Sequence, residues 1–512
     1  MITAELLTNL FNIETLIGLV VGVVGGMFIG ALPGLGATMG IALLIPITFG
    51  MQPTAALIML TALYTSAIYG GSITAILIHT PGTPASAATA MDGYALTRQG
   101  RGLQAVGIST FASMTGGTLS AVALLFIAPP LARISLMFNA PEYFLIAIFG
   151  LTIIGSLAGD NMLKGLIAGV AGLCISLIGF DITVGVARFT YRISELESGI
   201  QLVPALIGLF SLSQVLIQAE NIEAIRRGEK TEINAKLEGR LLPTLKEIIT
   251  ALPNLIRSSI IGIFVGILPG AGGDIGGWLG YNEAKRWSKN KALFGKGSPE
   301  AIWASEAANN AVTGGAIIPL VTLGIPGSSA AAVLLGGLMI QGLTPGHTMF
   351  SDNANTTYAI ILGFMFANIL MGIIGFLIAR RVAKVANAPT GILAPVIVVL
   401  SVVGAYAINL SYFDACVMAA FGLLGYFMRK TGFATAPVVL AIILGSMAEQ
   451  GFKRAILMAK DENILAYYFG RPICVVLILL IILSLAAPLG LKALEKKMSK
   501  TPVAGADTDS DD

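Results

Sequence analysis

Four polar residues in the second half of the chain stand in otherwise apolar sequence and could hold a cation. They are Glu306, Asn309 and Asn310 in the run SEAANNAVTGG, and Asp274 in GILPGAGGDIG. Glu306 and Asn310 are four residues apart, so a helix would place them on one face. A charge at the centre of a membrane costs about 2.5 to 3.5 kcal/mol, so such a group seldom persists without a role. We expect these residues to bind a sodium ion or a proton, or a ligand hydroxyl. The alternative is a hydrogen-bonded cluster between helices.

A Gly/Pro-broken apolar stretch occurs twice in the chain. GMFIGALPGLGATMG at 26–40 returns as GIFVGILPGAGGDIG at 262–276, at an offset of 236 residues, and HTPGTPASAA at 79–88 resembles GIPGSSAAAV at 324–333. Proline removes a backbone donor and interrupts a helix. Interrupted backbone is tolerated in a membrane only where it is buried in protein or lines a cavity. Paired breaks in two halves are typical of the substrate site of a secondary transporter.

The breaks would expose backbone N–H groups at the start of a half-helix, where a carboxylate can bind without Lys or Arg. This chemistry favours an anionic substrate, and nearby hydroxyls would add hydrogen bonds. The predicted substrate-binding residues are Pro33, Gly34, Gly36, Thr38, His79, Thr80, Pro81, Gly82, Thr83, Ser86, Pro269, Gly270, Gly272, Pro326, Gly327, Ser328 and Ser329. The hydroxyls could instead serve close helix packing, and His79 could instead face the membrane interface.

The composition is that of a polytopic membrane protein. Of the 512 residues, 55% are hydrophobic and 12% are charged, whereas about 25% are charged in soluble domains. Apolar runs predict an all-α fold of about 11 to 14 membrane segments, with Gly/Pro-broken or re-entrant helices. The net charge of +3 arises in loops and does not imply nucleic acid. No phosphate-binding loop and no G-x-S-x-G motif occurs, so we expect no enzymatic activity and no cofactor beyond a coupling ion.

Equivalent loops of the two halves differ in basic residues. The segment 282–297 carries five Lys or Arg and its counterpart 49–54 none, whereas 92–103 carries two and its counterpart 341–357 none. Because basic loops face the cytoplasm, equivalent loops are expected on opposite sides. The halves are therefore predicted to be inverted repeats, a common design for alternating access.

This scheme predicts four parts of the chain. They are a first half at 14–218, a cytoplasmic linker at 219–257, a second half at 258–490 and a disordered cytoplasmic tail at 491–512. The sequence at 241–256 predicts an interfacial amphipathic helix within the linker. One conflict remains, because the scheme places 450–470 outside although Lys453, Arg454 and Lys460 lie there.

Long motifs in a fixed order carry a resemblance to a known family. They include LPGLGATMGIALLIPITFGM, YGGSITAILIHTPGTPASAATAMDGYALTRQG, RSSIIGIFVGILPGAGGDIG and SPEAIWASEAANNAVTGGAIIPLVTLGIPGSSAAAVLLGGLMIQGLTPG. Over about residues 15 to 490 the chain resembles the large membrane subunit of bacterial tripartite tricarboxylate transporters. The family's Pro-Gly motifs and its Glu-Ala-Ala-Asn-Asn run match the residues named above. The chain departs from the family pattern at His79 and Asp274, which leaves the particular substrate and ion open.

The resemblance implies partners and a location. Such subunits work in the bacterial cytoplasmic (inner) membrane with a small membrane subunit and a periplasmic solute-binding protein that delivers a carboxylate. A sodium or proton gradient drives uptake. We therefore expect secondary active uptake of a di- or tricarboxylate by alternating access. The alternative is an ion-conducting channel or a carboxylate exporter of the same fold.

Overall fold

The fold is almost entirely helical. The computed structural model describes residues 3–32, 35–135, 137–152, 162–181, 185–226, 240–268, 272–385, 390–460 and 463–483. Within these ranges the strands are β1 (Gly179–Asp181) and β2 (Val186–Arg188), an antiparallel pair in which Phe180 lies opposite Ala187.

The first half contains ten described helices. These are α1 (Ala4–Leu10), α2 (Ile13–Ala31), α3 (Gly36–Leu44), α4 (Pro53–Ile78), α5 (Ala87–Arg98), α6 (Gly102–Ser135), α7 (Ala140–Thr152), α8 (Met162–Ser176), α9 (Leu202–Leu206) and α10 (Ser213–Arg226). A π-helical turn, Ile207–Leu212, joins α9 to α10, and a 3-10 turn, Pro84–Ser86, precedes α5.

The second half contains eleven described helices. These are α11 (Leu245–Ile267), α12 (Gly272–Trp287), α13 (Pro299–Leu323), α14 (Ser329–Ile340), α15 (His347–Ser351), α16 (Ala354–Val385), α17 (Thr390–Asn409), α18 (Tyr412–Lys430), α19 (Ala436–Ala459), α20 (Ile464–Phe469) and α21 (Pro472–Leu483). Ser298 caps the start of α13, because its side chain accepts from the Ala301 N–H and Pro299 follows at the first helical position.

The helices include both long and short apolar segments. Among the described residues, five helices are long and apolar enough to cross a membrane: α2, α4, α6, α11 and α16. Seven shorter apolar helices accompany them. The predicted all-α polytopic membrane fold is therefore confirmed.

The two halves repeat the same packing. Gly30 on α2 lies against the carbonyl oxygen of Ala67 on α4, and Gly266 on α11 lies against that of Val312 on α13. The glycines are 236 residues apart and their partners 245, which are the offsets of the repeated motifs. Glycine at these positions lets the backbones of two helices approach closely.

The equivalent helices α4 and α13 run in opposite directions. Near the start of α4, the Thr48 carbonyl accepts from Gln341 Nε2 at 2.9 Å. Gln341 directly follows α14, near the C-terminal end of α13. At the other end, Gln99 Nε2 after α5 donates to the Lys296 carbonyl, just before α13, at 2.9 Å. Thus the segment that follows each of these two helices meets the start of the other one.

Residues at equivalent positions also meet where α4 and α13 cross. Asn310 Nδ2 donates to the Thr65 hydroxyl at 3.0 Å and to the Thr65 carbonyl at 3.2 Å. These residues are 245 residues apart, which is the offset between the two long helices. Contact between equivalent residues is expected on a pseudo-twofold axis.

The interfacial helix predicted over 241–256 is part of a longer helix. A capping box between Thr244 and Glu247 begins α11 at Leu245, and the helix continues to Ile267 despite Pro253. The predicted boundary at 257/258 therefore falls inside a helix. The division of the chain into four parts stays a prediction, and 227–239 and 491–512 lie outside the described residues.

The basic residues near 450 have acidic neighbours. Lys453 Nζ lies 2.5 Å from Asp181 and 2.6 Å from Glu449, and Arg188 lies 2.5 Å from Glu449. The charge of Lys453 is thus compensated at the end of the molecule that carries the β-hairpin. The side of the membrane on which this end lies stays a prediction.

Candidate functional site

The chain folds back on itself after α4. The Gly82 N–H donates to the Gly71 carbonyl at 3.2 Å, and the Ser86 hydroxyl donates to the same oxygen at 3.2 Å. Helix α5 then returns, and the Thr97 hydroxyl donates to the Ile76 carbonyl at 2.7 Å. We call residues 79–98 hairpin 1; its tip reaches the level of Gly71, inside α4, and returns to the same end.

Hairpin 2, residues 324–341, repeats this path after α13. Gly327 lies against Ala316 and the Gly266 carbonyl, the equivalents of Gly71 and Gly30. The Gly346 N–H donates to the Val321 carbonyl at 2.9 Å, which shows that the chain has returned to the end of α13. The predicted re-entrant segments are therefore present in both halves.

Glycine is required at both tips. A Cβ on Gly82 would lie 2.0 Å from the Gly30 carbonyl oxygen, and one on Gly327 would lie 2.4 Å from the Gly266 carbonyl oxygen. The obstructing atoms are backbone, so a larger residue would displace the hairpin.

His79 has a conformational role that sequence reasoning did not assign. It ends α4 with φ of 57°, and Gly324 ends α13 at the equivalent position with φ of 71°. This left-handed conformation closes a helix and is unusual for residues other than glycine. The His79 ring is exposed and stacks on Tyr94 at 4.6 Å between centroids. Thr80 is also exposed and Pro81 is half-buried.

Glu306 is the centre of a buried polar cluster. It is 0% exposed on α13. Oε1 accepts from Ser72 on α4 at 2.8 Å and from Thr89 on α5, while Oε2 accepts from Ser109 and Ser113 on α6, each at 2.9 Å. All four donors are neutral hydroxyls of the first half. Helices α4, α5 and α6 of the first half therefore converge on one carboxyl group of the second half.

The Thr89 hydroxyl also contacts the residue that precedes Glu306 on α13. It lies 2.9 Å from the Ser305 hydroxyl. Among the described residues, no ion pair or hydrogen bond joins Glu306 to a Lys, Arg or His side chain, and no group of three or more His, Cys, Asp or Glu could hold a metal. In the part of the chain that the structure describes, the hydrogen-bond partners of Glu306 are therefore all hydroxyls.

Asn309 and Asn310 differ in their contacts. Asn310 binds Thr65 through Nδ2, but its Oδ1 has no hydrogen-bond partner. Asn309 is 1% exposed, and neither its Nδ2 nor its Oδ1 has a partner. A buried amide without partners costs free energy, so it indicates a place where a ligand or water binds.

Asn309 lies next to the tip of hairpin 1. A Cβ on Gly277 would lie 3.0 Å from the Ala85 carbonyl oxygen and 3.7 Å from the Asn309 Cβ, so Gly277 is adjacent to both.

The hydroxyls of the tips are buried and bonded. Thr83 lies 3.4 Å from the Ser86 hydroxyl. Ser328 caps α14 by accepting from the Ala331 N–H at 3.2 Å, and its hydroxyl lies 2.8 Å from Tyr64 Oη on α4. The tip of hairpin 2 is thereby attached to the first half.

The remaining predicted site residues are placed as follows. Gly36 begins α3 with φ of 46°, Thr38 is half-buried on α3, Pro326 is buried, and Ser329 is half-buried at the start of α14. Gly272 and Asp274 lie on α12, and the side chain of Asp274 lies outside the described part. Pro33, Gly34, Pro269 and Gly270 lie outside the described residues.

Sequence reasoning missed the donors of Glu306. Ser109 and Ser113 are one helical turn apart, so they could have been identified as a polar stripe on an apolar helix. Ser72 and Thr89 gave no such signal, because single hydroxyls are common among closely packed membrane helices.

Comparison with known proteins decides the family. A model described as "Tripartite tricarboxylate transporter TctA family" matches residues 16–440. The chain belongs to this family. It is thus a component of a tricarboxylate transporter of the tripartite type, a multi-pass membrane protein of a transporter family.

Two relatives come from Agrobacterium vitis. The TctA-family chain is 36% identical over 443 residues to "Uncharacterized 52.8 kDa protein in TAR-I ttuC' 3'region", covering 86% of this chain and 87% of the relative. It is 33% identical over 201 residues to "Uncharacterized protein in TAR-II ttuC' 3'region", covering 39% of this chain and 83% of the relative. No solved structure matches the chain.

Proposed function

We propose that this TctA-family chain takes up a small di- or tricarboxylate by alternating access, driven by a cation gradient. A periplasmic solute-binding protein delivers the substrate, and a small membrane subunit completes the transporter in the bacterial inner membrane. One observation carries the proposal: two re-entrant hairpins, one from each half, descend to the crossing of α4 and α13 beside a buried polar cluster.

The opposite directions of α4 and α13 support an inverted repeat in the membrane. Asp92 on α5 accepts from the N–H groups of Gly297 and Ser298, so the basic loops 92–103 and 282–297 adjoin. Both loops were assigned to the cytoplasm from their charges, and their contact agrees with that assignment. Two halves of opposite orientation can exchange outward and inward states around a central ligand.

The substrate site of this proposal lies at the tip of hairpin 1. Asn309 is equivalent to Tyr64 and Thr83 to Ser328, both at 245 residues. Tyr64 reaches Ser328 directly, whereas the shorter Asn309 leaves both polar atoms of its amide without a hydrogen-bond partner. The Asn309 amide can donate to a carboxylate and accept from a hydroxyl, which suits a small hydroxylated carboxylate.

The coupling ion of this proposal binds in the second half, at Glu306. Asn310 and Asp274 remain further candidates, as the sequence predicts. A carboxyl group among neutral hydroxyls needs a cation or a proton when it is desolvated, which is the requirement of a coupling site.

Uptake measurements test the proposal. Labelled citrate and succinate would be supplied to cells that express this chain and its small membrane subunit, with and without the binding protein, in sodium medium and in sodium-free medium. We expect accumulation that depends on the binding protein and collapses when ion gradients are dissipated. Uptake without a binding protein would refute the tripartite assignment, and flux that never exceeds equilibrium would favour the channel.

A variant tests the place of the substrate. Asn309→Ala should raise the half-saturating concentration for uptake at least tenfold while the protein remains inserted. Asn254→Ala is the matched control, because Asn254 is also a buried helix amide but bonds the Glu300 carbonyl at 3.0 Å, in the first turn of α13. Unchanged uptake by Asn309→Ala would place the substrate elsewhere.

A further inference from the structure

The donors around Glu306 are suited to two protonation states of one carboxyl group. A carboxylate can accept from all four hydroxyls, two on each oxygen. A protonated carboxyl donates once and still accepts, and a hydroxyl can change from donor to acceptor by rotating. The same cluster therefore satisfies the acid and its anion without moving a helix.

The distances fit a proton better than a bound metal cation. Ser72, Ser109 and Ser113 lie 2.8 to 2.9 Å from the carboxyl oxygens, which is the range of hydrogen bonds. Oxygens that ligate a hard cation at about 2.3 to 2.6 Å lie about 3.3 to 3.7 Å apart at right angles. A sodium ion would have to push the hydroxyls away from the carboxyl group.

Two other titratable groups lie near Glu306. Tyr69 on α4 is bonded to the Thr110 hydroxyl at 2.6 Å. Asp92 on α5, one turn after Thr89, accepts from Tyr281 on α12 at 2.9 Å and from the N–H groups of the loop before α13. Both groups are held by other partners. Arg257 and Glu300, on α11 and α13, bind Asn254 and Ser288 instead.

The symmetry-related position on α4 of the first half carries no carboxyl group. The counterpart of Glu306 is Thr61, and Ile317 and Leu334 stand where Ser72 and Thr89 stand in the first half. These residues line a cavity of about 20 Å³ with Ile361 and Phe364 of α16, the helix that takes the place of α6. Among the described residues, the chain thus has a buried carboxyl group at Glu306 but not at the equivalent position, Thr61.

We propose that the coupling ion is a proton, carried by Glu306. The inference rests on the proposed function and specifies its ion. Thr89 lies on the returning arm of hairpin 1, whose tip carries Thr83 and Ser86. A displacement of hairpin 1 that admits or releases substrate would remove one donor from the carboxylate. Substrate binding and proton binding are then linked, because each changes the free energy of the same position of hairpin 1.

The test uses proteoliposomes that contain the assembled transporter, with the binding protein and labelled citrate or succinate outside and a pH-sensitive dye inside. A pH gradient, alkaline inside, is imposed at equal sodium on both sides, and a sodium gradient is imposed at equal pH. We expect the pH gradient to drive at least tenfold accumulation with acidification of the interior, and the sodium gradient to drive none.

Glu306→Gln identifies the carrier. This variant should remain inserted in the membrane but lose accumulation at least tenfold together with the dye signal. Thr61→Val is the matched control at the equivalent position and should keep both. Accumulation by Glu306→Gln at the wild-type level would overturn the proposal.

The double variant Ser109→Ala, Ser113→Ala provides the test if Glu306→Gln does not insert into the membrane. Loss of two donors to the carboxylate should move the pH profile of uptake toward higher pH, and an unchanged profile would contradict the assignment. Sodium-driven uptake without acidification would refute the proton but leave carboxylate uptake standing. No uptake by wild type under either gradient would refute both.

Discussion

The cluster around Glu306 and the cavity around Thr61 occupy equivalent places in the two halves. Around Glu306, four hydroxyls surround a carboxyl group. Around Thr61 the equivalent positions carry Ile317 and Leu334, and the Thr61 hydroxyl turns back to the Leu57 carbonyl at 2.8 Å. A cavity of about 20 Å³ whose two polar neighbours, Thr61 and Thr357, both bond backbone carbonyls is too apolar to hold water.

The comparison separates the residues that set the backbone packing from the residues that could bind a ligand. The two halves share the glycines that set helix separation, Gly30 with Gly82 and Gly266 with Gly327. They do not share the polar residues inside. The backbone of a broken-helix hairpin can thus be kept while only one copy receives a group that binds a charge.

The largest effect is expected from Gly82→Ala, which tests the close backbone packing that both halves share. Its Cβ would lie 2.0 Å from the Gly30 carbonyl oxygen, and a backbone atom cannot move aside cheaply. We expect destabilisation of about 3 kcal/mol or more, measured as a loss of monodisperse protein and a lower Tm in detergent. Gly25→Ala is the control, because its Cβ would meet nothing within 4 Å. Wild-type stability of Gly82→Ala would show that hairpin 1 does not approach α2 as described.

Asp92→Ala tests a contact that hairpin 1 makes with the second half and that has no counterpart in hairpin 2. Asp92 is 0% exposed and accepts from Tyr281 and from the N–H groups of Gly295, Gly297 and Ser298. Its equivalent in hairpin 2 is Gly337. Loss of the carboxylate should cost about 2 to 3 kcal/mol, because several donors lose a charged acceptor.

The measurement for Asp92→Ala is the Tm together with limited proteolysis of residues 288–298, which should become more susceptible. The exposed Asp352 provides the control as Asp352→Ala. Equal proteolysis of wild type and Asp92→Ala would show that Asp92 does not hold this loop.

Tyr64→Phe tests the hydrogen bond that attaches hairpin 2 to α4 of the first half. It removes the hydroxyl that lies 2.8 Å from Ser328. We expect a loss of about 1 kcal/mol, the usual contribution of one hydrogen bond. The measurement is thermal unfolding with hydrogen exchange across 324–341, which should increase there and not across 79–98. Faster hydrogen exchange in hairpin 1 alone would show that the Tyr64 hydroxyl does not hold hairpin 2.

The smallest effect is expected from Thr61→Val. Its hydroxyl bonds only carbonyls of its own helix, those of Leu57 and Ile58. The free energy of unfolding should change by less than about 1 kcal/mol, and carboxylate uptake should be unchanged. A loss of uptake comparable to that of Glu306→Gln would mean that both halves contribute an ion site.

The repeated motifs allowed the hairpins to be predicted from the sequence. Pro-Gly pairs at matched offsets mark broken helices through local chemistry, since proline and glycine act on their own backbone. The continuity of α11 was not predicted, because Pro253 and the polar residues before it suggested a separate interfacial helix. Packing of its apolar face, through residues such as Leu255 and Gly262, overrides that local signal.

Glu306 itself could be singled out, since a carboxyl group in an apolar run is conspicuous. Its surroundings could not. The conformational role of His79 was also missed, because a left-handed helix end is recognised from sequence only when glycine or asparagine stands there.

The sequence by itself determined the membrane class, the two broken motifs per half and the acid that stands in the second half, because composition and local backbone preferences require no partner. Only the tertiary structure decided what surrounds that acid. Its donors lie between 193 and 234 residues away along the chain, on three helices whose separation is set by glycine contacts. Hydrogen bonds at that sequence distance depend on how helices pack, and a run of residues does not encode that packing locally.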